Sequence, residues 1–336
     1  MAALRDTLLA VLSTDRLTRQ NNELHFRQQL EGDVNAVLAA LQDNFMNQGE
    51  DESVRTIAGV LLRQTLEKYA SKITSPVMQQ LRSALLQMWG IEGSAPIMRR
   101  LGHVIAQSAS KGDWSELLPF LLSDTTNQAK TPQKLRALLL LLETIAEYAP
   151  ADVQTHAAML ADFLGQHVGS SDSEVQVACA RAVCASCVAL DDESSRNMFK
   201  PALQPVVNTL GACLTRGDEQ DAVSVMEHLV EIAAVQPLFF KSNMDGVVAA
   251  MLTVAGAEDL DFATRSMALE LMVTLAESAP ALSRRCGGLV QNFVPVAMSV
   301  MLEVEEEEVA WVQGSYGVDA EDDNFLVGEE AIERAA

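Results

Sequence analysis

The chain has 336 residues, 49% hydrophobic but only 5% aromatic, and its 46 acidic against 24 basic side chains leave a formal net charge of −22. An acidic excess of this size argues against phosphate-backbone binding, which needs Lys and Arg, and favours basic partners. No run reaches the ~18 apolar residues of a membrane span, and Met1–Val11, interrupted by Arg5 and Asp6, is not a secretory leader.

In chain order the pattern is helical throughout. Leu4–Leu12 is followed by the capping cluster Ser13-Thr14-Asp15 and a helix to about Leu30. Its partner runs Asp33–Phe45 on the stripe Val34, Val37, Leu38, Leu41. A second repeat takes Glu52–Tyr69 and Ser75–Trp89, with Pro76 in the first helical turn after a capping Ser. A third takes Ser94–Ser110 and Trp114–Leu122, and a fourth Pro132–Tyr148 and Ala151–His167. The fifth takes Glu174–Leu190 and Asn197–Leu214, the sixth Glu219–Val235 and Lys241–Val254, the seventh Asp259–Ala279 and Ala281–Leu302. Arg265–Pro280 carries a stripe of Leu269, Met272, Val273 and Ala276 that ends at proline.

These segments repeat. Ile145, Val188, Ile232 and Leu275 occupy equivalent places 43, 44 and 43 residues apart, and three of the four helices close on a proline: Pro150, Pro237 and Pro280. Paired helices at a period in the low forties indicate HEAT repeats. The expected fold is all-α: a HEAT-repeat α-solenoid, a right-handed superhelix of antiparallel helix pairs, with about seven repeats and the start of an eighth. Val54-Arg55, Leu135-Arg136 and Thr264-Arg265 recur near the starts of first helices.

After Leu302 the texture changes. Glu305, Glu306, Glu307 and Glu308 precede Trp311, and Glu321, Asp322 and Asp323 follow, with no Lys or Arg from Glu303 to Glu330. Like charges at this density resist compact folding. The reading divides the chain into a solenoid (1–302), an acidic flexible insertion (303–327) and a truncated eighth repeat (328–336), the N-terminal part of a longer protein.

Candidates for chemistry are few. Cys179, Cys184 and Cys187 stand five and three apart, a spacing that does not converge on one corner of a helix, so they read as core thiols. An odd cysteine count without a leader places the chain in a reducing compartment. The histidines His25, His103, His156, His167 and His228 fall in different repeats, and neither a P-loop nor a GxGxxG is present. Gly287-Gly288 reads as a break between helices, and Trp89 and Trp114 as packing residues. An enzyme, a metal site or a cofactor is not expected.

Several segments resemble a known family. Ser13-Thr14-Asp15 with Arg19-Gln20 and Asn22-Glu23 resembles the opening helix of importin-β-family nuclear transport receptors, with Asn22 where alanine is usual. Arg55–Arg63 resembles the family's second-repeat A-x-x-L-L-[RK] signature. His228–Ala233 and Met267–Glu277 are similar to repeats six and seven of the karyopherin-β3 branch, and Val327–Arg334 is similar to the segment following that branch's acidic insertion. The likeness is collinear over nearly the whole chain and poorest over residues 94–215.

The resemblance implies an importin that shuttles between cytoplasm and nucleus. Its partners would be the GTP form of the GTPase Ran, cargo bearing basic nuclear localisation signals, and phenylalanine-glycine (FG) nucleoporins, with no nucleic acid or membrane. Ran binding would release cargo, a coupling between two sites. In this family the second helix of each repeat lines the concave face, and the first few bind Ran. That rule places Ran contacts near Asn35, Asp43, Gln79, Gln87, Asp113 and Glu116, and FG grooves between the first helices of repeats five to seven. The acidic stretch with Trp311 would engage a basic partner. The alternative is a cytosolic HEAT scaffold that assembles proteins without regard to Ran.

Overall fold

The computed structural model describes residues 2–123, 131–302 and 324–335. They form two compact units, Met1–His156 and Ala157–Ala336. Among the described residues there are helices and no strands.

The first unit contains α1 (Ala2–Val11), α2 (Arg16–Gly32), α3 (Val34–Met46), α4 (Glu52–Tyr69), α5 (Ser75–Ile91), α6 (Ala95–Ala109), α7 (Leu117–Leu122), α8 (Pro132–Tyr148) and α9 (Pro150–Thr155). The second contains α10 (Ala157–His167), α11 (Ser173–Ala189), α12 (Glu193–Asn197), α13 (Leu203–Arg216), α14 (Glu219–Val235), α15 (Met244–Ala255), α16 (Phe262–Ser278), α17 (Pro280–Ser283), α18 (Leu289–Met301) and α19 (Asn324–Ala335).

The helix starts follow the capping residues of the sequence. Asp15, Asp33, Asp51 and Asp172 accept from the backbone N–H groups of Thr18, Ala36, Ser53 and Val175 at 2.8, 3.1, 2.8 and 3.0 Å. Each satisfies a donor that the first turn would leave unpaired. At α5 the cap is Thr74 rather than Ser75, and it makes no side-chain cap bond. Instead Asn35 of α3 accepts from the Thr74 N–H at 3.0 Å. Gly217, at φ +77°, closes α13 with Asp218 N–H donating to Cys213 O at 3.0 Å, a left-handed stop that glycine adopts without strain.

Packing corrects the pairing of helices into repeats. In the first unit α1 packs on α2, α3 on α4 and α5 on α6; in the second α10 packs on α11, α13 on α14, α15 on α16 and α18 on α19. Of the helices taken above as first members, α4, α6, α11, α14 and α16 are therefore second members, while α8 packs on α9 as expected. They also stack on one another: α4, α6 and α8 form one layer of the first unit, and α11, α14, α16 and α19 one layer of the second. The core lies between the layers, around Leu38, Leu41, Phe45, Leu62 and Leu101 in one unit and Leu229, Phe240, Met251 and Leu275 in the other.

The helix Arg265–Pro280 shows why a stripe misleads. Its Leu269, Met272 and Val273 are buried, but so are Ala268, Leu271 and Leu275, because α14, α15 and α19 surround it. A helix enclosed on several sides needs apolar residues nearly all round.

Polar links between successive pairs recur at the repeat period. Ser94 donates to Glu52 at 2.7 Å, and the Asp261 N–H to Glu219 at 2.9 Å, each pair 42 residues apart. The recurrent arginines act inside a pair: Arg55 Nε donates to Phe45 O and Arg265 Nε to Ala255 O, both at 3.0 Å, across the turn to the end of the first helix. Arg55 also forms a buried ion pair with Glu92.

Other segments are shorter than the periodicity predicts. Trp114–Leu122 is helical only from Leu117, and Ala281–Leu302 splits into α17 and α18 around Gly287-Gly288. At the far end helix begins at Asn324, four residues before Gly328, because α19 packs along α18. Gly328 makes that approach possible: a Cβ there would lie 2.7 Å from Ala297 O and against Met301. The stretch 303–323 thus joins the two helices of one pair.

Candidate partner-binding surfaces

The second unit carries an open cleft of about 520 Å³. It forms where two repeats end alike. Gln236 N–H donates to Ile232 O at 2.7 Å and closes α14, and Ala279 N–H donates to Leu275 O at 3.0 Å and closes α16. Both closing residues share one backbone conformation, φ −135° and ψ 54° for Gln236 and φ −138° and ψ 60° for Ala279. Each is followed by a proline, Pro237 or Pro280, which disfavours further α-helix at the residue before it. The chain turns, and a gap opens between the turns, with α12 as the third wall.

The lining is mixed. Val235 and Leu238 are 56% and 62% exposed, and Pro237, Pro280 and Leu282 extend the apolar surface. Phe239 lies beneath, buried. The opposite wall carries Glu193, Arg196 and Lys200, with Arg196 Nη1 held by Leu190 O at 2.7 Å. Concavities of this size with an apolar body and a few fixed polar groups hold ligand side chains. The proline-ended repeats point to this place in the sequence; the exposure of Val235 and Leu238 does not show there.

The six candidate positions of the first unit fall in the α3 and α5 layer and the turn before α7. Asp43, Gln79, Gln87, Asp113 and Glu116 are exposed and lie along successive elements. Asn35 is half-buried, and its side chain is occupied: it donates to Lys72 O at 3.3 Å and accepts from the Thr74 N–H. By the pairing above Asn35, Asp43, Gln79 and Gln87 are first-helix positions, whereas the rule that selected them concerns second helices. Glu305–Glu308, Trp311, Glu321, Asp322 and Asp323 lie outside the described residues.

All five cysteines are buried, and none forms a disulfide. Burial pushes the Cys179 thiol up to about 12 and Cys187 well above its ordinary value, so neither is a ready thiolate. Trp89 and Trp114 are buried, Trp114 with Arg82 stacked 5.0 Å over its ring. Among the described residues no group of three or more His, Cys, Asp or Glu could hold a metal ion, and no helix is long and apolar enough to cross a membrane.

Comparison with known proteins agrees with this architecture. A family described as "IPO5-like, TPR repeats" matches residues 97–250, and one described as "Importin repeat" matches residues 257–336. Importin subunit beta-3 of Saccharomyces cerevisiae is 24% identical over 305 residues, which are 85% of this chain and 27% of that protein. A probable importin subunit beta-4 of Schizosaccharomyces pombe is 30% identical over 113 residues, 32% of this chain and 10% of that one. Among solved structures, Kap121p superposes with a TM-score of 0.84 at 22% identity, covering 99% of this chain and 32% of its own. Kap121p bound to RanGTP superposes at 0.83 with the same identity and coverage. The chain thus has the HEAT-repeat solenoid fold over nearly all its length and spans about a quarter to a third of these longer proteins.

Proposed function

We propose that the chain belongs to the importin-β family and serves a nuclear transport receptor that binds RanGTP, cargo and FG nucleoporins and makes or breaks no covalent bond. Solved complexes of Kap121p with RanGTP, with Pho4p and with Nup53p support these partner classes. Such a receptor shuttles between cytoplasm and nucleus and releases basic cargo when Ran binds.

The observation that carries the reading is the cleft between the ends of α14 and α16. Its exposed Val235 and Leu238 beside Pro237 and Pro280 suit an aromatic side chain on a flexible peptide. Burying one phenylalanine there contributes about 2 kcal/mol, so single contacts are weak and exchange fast. Several in series provide affinity through effective concentration.

The GTPase is assigned to the first unit. On the pairing found here, the second-helix positions that the family uses for Ran are those of α4 and α6, in the layer opposite Asn35, Asp43, Gln79 and Gln87. The acidic stretch 303–323, with Glu305–Glu308, Trp311 and Glu321–Asp323, is assigned to a basic surface of Ran or cargo. Replacing its acids by Asn and Gln should weaken that binding, and unchanged affinity for both would remove the stretch from the mechanism.

The test of the cleft is titration of the chain with a peptide carrying FG repeats, and with the same peptide carrying Ser for Phe. Leu238→Asp with Val235→Asp should lower FG affinity by about tenfold, the loss of roughly one apolar contact, and leave the helical content unchanged. Equal affinity of the double variant, or of the Ser peptide, would overturn the assignment.

A further inference from the structure

The net charge of the chain is very unevenly placed. Residues 1–156 carry 15 Lys and Arg against 17 Asp and Glu, so nearly all of the −22 falls in the remainder. Within this almost neutral first unit, α6 shows a peculiarity. From Ile97 to Ala109 every residue is buried except Arg99, Arg100 and His103. Arg99 and His103 stand four apart and Arg100 and His103 three apart, so the three share one face of the helix. Beyond its first turn, then, α6 presents only cationic and imidazole side chains to solvent. Arg63, on the neighbouring α4, adds a third guanidinium near the same imidazole.

Among the described residues none of these arginines has a carboxylate partner, and Glu67, one turn beyond Arg63 on α4, forms no ion pair with it. Elsewhere Arg5 pairs with Glu50, Arg55 with Glu92, Arg216 with Asp218, and Arg334 with Glu270 and Glu277. Here three guanidinium groups converge on one imidazole without a carboxylate among them. Like charges held together lower stability, and a cost of that kind is retained where a ligand relieves it.

We propose that Arg63, Arg99, Arg100 and His103 form a docking surface on the α4–α6 layer for an acidic segment of a protein partner. The ligand class follows from the surroundings. Half-buried Val60 of α4 lies beside Arg63, so the surface offers apolar as well as cationic contact. That mixture fits a peptide of Glu and Asp interspersed with aliphatic residues. A nucleic acid would need more basic groups along a track than this cluster supplies. Arginine forks suit carboxylates by two parallel hydrogen bonds. The surface lies on the layer assigned above to the GTPase, but the inference stands on the charge pattern and its test needs no Ran.

His103 gives an internal reporter. Burial, with the positive charges of Arg100, Arg63 and Arg99, holds its pKa below the ordinary histidine value. A bound carboxylate-rich segment offsets that repulsion and must raise it.

The test uses the whole chain with two short labelled probes of equal charge, a Glu/Asp/Leu peptide and a single-stranded DNA. Fluorescence anisotropy should show saturable, salt-sensitive binding of the peptide. Arg99→Gln with Arg100→Gln should weaken it by about tenfold or more, as should Arg63→Gln in part, while Arg27→Gln, an exposed arginine elsewhere in the unit, should not. NMR titration should find the His103 ring pKa higher in the saturated complex than in the free chain. Absence of saturable peptide binding would overturn the proposal, as would equal loss in Arg27→Gln or an unmoved His103. Preference for the DNA would replace the acidic peptide with a nucleic acid and overturn it equally. Circular dichroism separates these outcomes from misfolding, and the exposed Arg99 and Arg100 can be changed without disturbing the core.

Discussion

Replacing Arg55 by methionine isolates the polar joint of the first unit. Arg55 and Glu92 are 6% and 4% exposed. Arg55 donates Nε to Phe45 O at 3.0 Å and its terminal nitrogen to Glu92. Glu92 also accepts from the Gly93 and Ser94 N–H groups at 3.0 and 2.9 Å. Burial is the strongest influence on the Glu92 carboxyl and pushes its pKa up, yet the hydrogen bonds of Ser94 and Arg55 together outweigh it and leave the value below the ordinary range. Methionine keeps the aliphatic bulk and removes the charge, stranding a buried carboxylate at a cost of about 3–5 kcal/mol. The assay is urea unfolding at pH 7, followed by circular dichroism and by fluorescence of the buried Trp89 and Trp114. Arg55→Met removes two of the influences that lower the Glu92 pKa and so raises it relative to the parent. The destabilisation should therefore shrink as pH falls and the stranded carboxylate takes up a proton. Removing both charges, with Glu92→Leu added, should cost less than Arg55→Met alone. A loss below about 1 kcal/mol, or one indifferent to pH, would refute the reasoning and make Arg55 a packing residue only.

Other outcomes follow from close approaches and titrating groups. Gly59→Ala should lose about 1–3 kcal/mol, because a Cβ there would sit 2.7 Å from the ring of fully buried Phe45; a melting curve like that of the parent would contradict this. Gly328→Ala should lift α19 from α18, seen as faster hydrogen exchange across 324–335 while α3–α6 keep theirs. The Arg334 hydrogen bond holds the Glu277 carboxyl below its ordinary range, so the clasp of α19 on α16 is complete above the unfolded value and lost as pH falls through the folded one. Intrinsic-rate-corrected exchange of α19 should accelerate over that acid range, and Arg334→Gln should remove the dependence. All five cysteines are buried, so a thiol reagent should find no rapidly reacting group in the native chain and five in urea; a fast native phase would show an exposed thiolate.

The period of the fold was legible because proline-ended helices such as those at Pro150, Pro237 and Pro280 recur in register, and the Asp15 cap showed in its Ser-Thr-Asp cluster. The pairing of helices was not. In a stacked array α4 touches α3 and α6, so its apolar surface is too broad to reveal which neighbour is its partner, and α16 is apolar on nearly every side. That ambiguity shifted most repeats by one helix, so Asn35, Asp43, Gln79 and Gln87 fall on α3 and α5, the first helices of their pairs. Arg55 and Arg265 were visible as a repeated feature, but their carbonyl partners ten residues earlier became apparent only with the turns in place. The prolines marked the cleft, while the exposure of Val235 and Leu238 depends on the geometry of two successive turns. Arg99-Arg100 is plain in the sequence; its isolation from carboxylates is a property of the packed layer.

The central claim is that this chain serves nucleotide-dependent transport rather than passive assembly. The measurement is its affinity for purified Ran loaded with a GTP analogue and with GDP, each at low and high salt. The account predicts selective binding of the GTP form that weakens as salt rises, as expected for an interface with charged contacts. Equal affinity for the two forms, or none for either from a folded helical chain, would contradict it and favour a HEAT scaffold indifferent to the nucleotide.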